Sequence, residues 1–125
     1  MWIRHAPCCA AFCALMQSFV TPARAASWDC SYSALVVTAL HSIAAGRCPA
    51  DLMTSALAEA CSHELGGWAP RLIHLGRLTS VQCRGGWQSP SELMEEYEVN
   101  FDHGQLTWFI GLAADGRIQI LWPLG

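Results

Sequence analysis

The hydrophobic period of this chain changes once, at Gly76, and that change divides it into a helical half and a sheet-forming half. Before Gly76, Tyr32, Leu35, Val36, Ala39, Leu40 and Ile43 recur at the spacing of one face of a helix. They predict a helix over about residues 31 to 45, with Asp29 or Ser31 as N-cap and Gly46 in the left-handed C-terminal position. Pro49 forbids continuation, and Thr54 is the N-cap expected for a second helix carrying Leu57, Ala60, Cys61 and Glu64. Gly66-Gly67 is expected to end that helix, and a short third one is expected from Pro70 to Leu75. After Gly76 the period becomes 2. Leu78 to Arg84 alternates weakly, and Tyr97, Val99 and Phe101 alternate with Glu96, Glu98 and Asn100. Asp102-His103-Gly104 reads as a tight turn into Leu106, Trp108, Ile110 and Leu112. Ala113 to Gly116 then reads as a second turn, into Ile118, Ile120 and Trp122. The expected class is α+β, three N-terminal helices packed on a four-stranded antiparallel sheet.

The N-terminal segment has the layout of an export signal. Arg4 precedes an almost uncharged run from Ala6 to Val20, and Thr-Pro-Ala-Arg-Ala closes it with Ala23 and Ala25 at the positions of an A-x-A cleavage site. A run of fifteen residues falls short of the roughly 20 that span a bilayer, so cleavage after Ala25 is expected rather than retention in a membrane. That divides the chain into a signal peptide, 1–25, and one domain, 26–125, in the periplasm or outside the cell. The whole chain has a formal charge of -3, and the 26–125 part has five arginines against ten acids. Such an acidic domain presents no basic surface to a phosphate backbone, which argues against nucleic acid as partner.

Cys30, Cys48, Cys61 and Cys83 remain after cleavage, and in an oxidising compartment four thiols in a small domain read as two disulfides. Cys30 and Cys48 flank the first helix. At 1.5 Å per residue they stand about 22 Å apart, beyond the ~7 Å reach of a disulfide. Two pairings are left: Cys30 with Cys61 plus Cys48 with Cys83, or Cys30 with Cys83 plus Cys48 with Cys61. A third outcome leaves Cys83, in register with Val81, as a buried thiol.

Several segments carry a resemblance: Asp51 to Ala58, Leu75-Gly76-Arg77-Leu78-Thr79-Ser80-Val81, Tyr97 to Phe101, Gly104 to Ile110, and Asp115-Gly116-Arg117-Ile118. Together they resemble a small secreted bacterial group of NTF2-like domains, the cystatin-like α+β cone, of the type found beside β-lactamase-like serine hydrolases. The four cysteines and the stretch Gln88 to Glu96 are additions to that pattern. The resemblance implies a curved sheet enclosing a cavity, and enzymes of the wider superfamily, such as ketosteroid isomerases and polyketide cyclases, place an Asp or His base there. In this chain the inward strand positions 97, 99, 101, 106, 108, 110, 112, 118, 120 and 122 offer one phenol, Tyr97, and no carboxylate or imidazole. His41 and His74 are the helix residues from which a base might otherwise project, and both read as exposed.

Other groups have chemistry when read as text. Asp102 beside His103 looks like an acid/base dyad, but adjacent turn residues point apart. Cys61, His63, His74 and Cys83 are metal-ligand types, yet no paired C-x-x-C spacing is present, and Cys61 and His63 sit about 200° apart around a helix, so no metal or other cofactor is expected. Glu92, Glu95, Glu96 and Glu98 read as a solvated acidic cluster. Tyr97, Trp108, Trp68 and Trp87 are the aromatic candidates for binding a small apolar ligand. Phe109 and Leu121, apolar but out of register, suggest a covered outer face that a sheet-to-sheet homodimer would bury. The expectation is an exported, non-catalytic binding or accessory module for a protein or a small apolar ligand, without membrane insertion after cleavage. The alternative is a small-molecule enzyme that uses the cavity.

Overall fold

The computed structural model describes residues 30–88 and 92–125. The expected signal segment, its cleavage site and Asp29 lie outside these residues. Helices α1 (Ser33–Ala44) and α2 (Ser55–Leu75) precede strands β1 (Leu78–Gln88), β2 (Leu93–Phe101), β3 (Gly104–Leu112) and β4 (Ile118–Trp122). The helical half therefore holds two helices, and the expectation of a third is corrected. Gly66, Gly67 and Pro70 all lie inside α2. Their combined cost is about 5 kcal/mol against good helix formers. The stripe Leu57, Cys61, Leu65, Trp68, Leu72 and Leu75 runs straight through them at i+3 and i+4 spacing and packs on the core. Full burial of Leu72, worth about 1.5–3 kcal/mol, and partial burial of Trp68 and Leu75 against the core offset the break. Both glycines and Pro70 lie on the exposed side, where water can take up the carbonyl that proline leaves without a donor.

Gly46 takes the left-handed position after α1, at φ 82°. At the other end Tyr32, not Ser31, is the N-cap residue, and no side chain caps the helix. Thr54 caps α2 by accepting the N–H of Leu57 at 3.3 Å. The apolar face of α1, Val36, Ala39, Leu40 and Ile43, is buried with Leu57, Cys61 and Leu72 of α2.

The sheet is an antiparallel meander in the order β1-β2-β3-β4. It is open and uncurled, so the cone implied by the NTF2-like resemblance is corrected as well. Its inner side chains press directly on the helices: Trp68 of α2 meets Trp108 of β3 at 5.0 Å between ring centroids, and Tyr97, Val99, Trp108 and Ile110 are fully buried. Strand β1 runs past the weakly alternating Leu78 to Arg84 to Gln88, after a bulge between Cys83 and Gly85, where Gly85 adopts φ 127°. The outer edge of β4 is held at its start by the segment before α2, since Ile118 donates to the Leu52 carbonyl (2.7 Å) and accepts from Thr54 (2.9 Å).

A second bulge decides which residues of β4 face the core. Gly111 pairs with Ile120 but Leu112 with Ile118, leaving Gln119 as the extra residue. The phase of the strand flips there. Ile118 and Leu121 point inward and are fully buried, while Trp122 is 54% exposed. The expected inward set Ile118, Ile120 and Trp122 is corrected to Ile118 and Leu121.

The disulfides are Cys30–Cys83, with Cα atoms 5.7 Å apart, and Cys48–Cys61, at 6.0 Å. The second ties the loop after α1 to the second turn of α2. The first ties the segment before α1 to β1. This is one of the two pairings that the length of α1 leaves open.

Candidate functional site

Two places in the fold carry more chemistry than packing requires, and they lie on opposite faces of the sheet. On the outer face Trp87, Met94, Phe109, Ile120 and Trp122 line an apolar groove of about 390 Å³. Strand register assembles it: Trp87 lies opposite Met94, Met94 opposite Gly111, and Phe109 opposite Trp122. Phe109 makes edge contacts to Trp87 (5.3 Å) and Trp122 (5.5 Å). The two tryptophans remain 44% and 54% exposed. Phe109 is thus on the outer face, as its register suggested. Leu121, expected beside it, is in the core, and the bulge at Gln119 puts Trp122 in its place.

On the inner face β2 carries Glu95, which is 1% exposed. Its carboxylate accepts the O–H of Tyr97, and the Tyr97 oxygen accepts the backbone N–H of Tyr32 at 3.0 Å. Donor, phenol and carboxylate form a short relay in which each bond polarises the next. Trp108, cross-strand from Tyr97, has a buried indole N–H with no partner among the described residues, at a cost of about 1–3 kcal/mol. Sequence reasoning missed Glu95 because it grouped this residue with Glu92, Glu96 and Glu98 as a solvated cluster and did not carry the strand's alternation back past Glu96. The signal was there: β2 begins at Leu93, and the alternation that buries Tyr97, Val99 and Phe101 includes Glu95 when extended back by one step.

Burial, reinforced by the Glu95 carboxylate, pushes the Tyr97 phenol well above its ordinary value. A raised native value means that the unfolded chain loses this proton first. The contribution is complete below about pH 10 and is lost above it by about 1.4 kcal/mol per pH unit, until the native phenol ionises as well. Tyr97→Phe should remove that share of the alkaline decline, as urea unfolding at about pH 9 and pH 11 would read. An unchanged slope would show that the phenol is not sequestered.

The remaining sequence candidates are dispersed. Tyr97, Trp108 and Trp68 belong to the interior, whereas Trp87 lies across the sheet, so the four aromatic candidates do not form one site. Asp102 and His103 fasten the β2–β3 turn to the α2–β1 junction: Asp102 accepts the N–H of Arg77 at 3.1 Å, and the backbone N–H of His103 donates to the Leu75 carbonyl at 2.9 Å. His41, His63 and His74 are exposed on the helices. Among the described residues no group of three His, Cys, Asp or Glu side chains is placed to hold a metal ion. Glu98 pairs with Arg84, and Glu92 accepts from Gln119 at 2.8 Å. No helix among the described residues is long and apolar enough to cross a membrane.

These features define a class: two helices on one face of an open four-stranded meander, stapled by two disulfides, with an aromatic cluster on the face the helices leave uncovered. Comparison with protein-family models, with curated proteins and with solved structures finds no match to the chain.

Proposed function

We propose that the protein is an exported, non-catalytic binding module that docks a protein surface on the outer face of its sheet, and that a second copy of the chain is the occupant. The observation that supports this reading is the Trp87–Phe109–Trp122 cluster, in which Phe109 makes edge contacts to both tryptophans and the tryptophans are about half open to solvent. Trp, Phe and Met are the residue types concentrated in the cores of protein interfaces. The groove between them is wholly apolar, which suits another apolar side chain better than a ligand in need of hydrogen bonds. Two such faces stacked at about 10 Å would form a sandwich, each copy filling the other's groove, while the Arg84, Glu98 and Asn100 end of the face stays wet. The A-x-A segment and the two disulfides are consistent with an oxidising compartment outside the cytoplasm.

Sedimentation at micromolar concentrations should then give a dimer, and Trp122→Asp a folded monomer, a shift of about tenfold or more in dissociation constant. A native chain that remains monomeric at about 100 µM would exclude self-association. The enzyme alternative has one observation in its favour, the inward, buried carboxylate of Glu95, which accepts the O–H of Tyr97.

A further inference from the structure

One carboxylate stands among the aromatic residues of the outer face. Strand register puts Glu96 in a single cross-strand row with Gly85, Phe109 and Trp122, and Met94, two residues before it on the same face, lines the groove. Glu96 is already half-buried in the single chain. Among the described residues it has no hydrogen-bond or ion partner. Arg84, in the bulge of the neighbouring strand β1, is bonded to Glu98, and β3 and β4 contain no charged residue. Gly125 lines the same groove, and a terminal carboxyl there is the other titratable group near the rings.

A copy laid over this row would cover Glu96 together with Phe109 and Trp122, and it brings no free cation to the place. The chain contains no lysine. Arg71 lies over the Trp68 ring at 4.6 Å, Arg77 and Arg117 pair with Asp102 and Asp115 at 4.0 and 2.7 Å, and Arg84 is held by Glu98. Arg47 follows α1, in the helical layer. An ionised carboxylate taken out of water without a counter-ion is strongly disfavoured, and the group takes up a proton instead.

We propose that Glu96 is a proton gate on the outer face, so that two copies join by taking up one proton each and the dimer tightens as the pH falls. This rests on the dimer proposed above. The sign follows from linkage: a carboxyl that is protonated in the dimer and ionised in the free copy favours pairing in acid and opposes it above the ordinary glutamate range. Two protons per dimer set a ceiling of about a hundredfold in dissociation constant per pH unit.

Sedimentation equilibrium at about pH 5 and about pH 7.5 tests the gate, in about 0.5 M salt so that the general repulsion between two acidic copies is screened. The native dissociation constant should be at least about tenfold lower at the acid pH. Glu96→Gln, neutral at both, should bind equally at the two and as tightly as the native chain does in acid. Glu59→Gln removes an exposed acid of α2, away from the sheet, and should keep the native pH dependence. A native constant that is the same at both pH values, a Glu96→Gln dimer that still weakens with rising pH, or a Glu59→Gln dimer that has lost the dependence would each overturn the gate and leave the dimer standing. Native and Glu96→Gln chains that both stay monomeric at about 100 µM at both pH values would refute the dimer, and the gate with it.

Discussion

Leu121→Asp is expected to abolish folding, whereas Trp122→Asp, one residue on, leaves a folded protein. Leu121 is fully buried. An aspartate there forfeits the burial of a leucine and strands a carboxylate without a partner, a change that costs more than about 4 kcal/mol. That approaches the whole stability of a domain of this size, about 5–15 kcal/mol. Trp122 is 54% exposed, and a charge in its place points into water. The contrast reads the bulge at Gln119 directly, because a strand without it would put Trp122 inside and Leu121 outside. Circular dichroism and thermal melting of the two variants are the measurements. A folded Leu121→Asp together with an unfolded Trp122→Asp would show that β4 keeps the uninterrupted alternation.

Cys30→Ser/Cys83→Ser is expected to lower the unfolding free energy by about 4 kcal/mol, because the bridge closes a loop of 53 residues in the unfolded chain. The Cys48–Cys61 bridge spans 13 residues, and the same reasoning gives it about 3 kcal/mol. Most of the first effect comes from restraining the unfolded ensemble, so the double variant should still fold at 25 °C and show its loss as a lower urea midpoint. A loss below about 1 kcal/mol would mean that the two ends of that loop already meet in the unfolded chain without the bridge.

Much of the architecture was legible in the residues. The stripe from Tyr32 to Ile43 announces α1, Thr54 announces the start of α2, and the alternation around Tyr97 and Trp108 announces the central hairpin, because each signal is local and each element satisfies its own backbone. The third helix was misread because Gly66, Gly67 and Pro70 are judged by local propensity, while the stripe that runs through them is rewarded only on contact with Trp108 and the rest of the core. The NTF2-like likeness failed for a related reason: its segments are turn glycines and sheet-face apolar residues, which recur in any antiparallel meander.

The sequence by itself determined the order of helix and strand, the turn at 102–104 and the exclusion of a Cys30–Cys48 bridge, all of which rest on periodicity and reach within one stretch of chain. Tertiary structure alone decided the rest. The bulge at Gln119 depends on the pairing of β4 with β3 and moves Leu121 from the outer face to the core. Burial of Glu95 depends on how far β2 extends and on what covers it. The choice of Cys83 as partner for Cys30 depends on where the segment before α1 crosses the sheet. Each of these is a relation between residues far apart in the chain, and a one-residue shift in strand phase reverses which face a side chain meets, so no local pattern contains the answer.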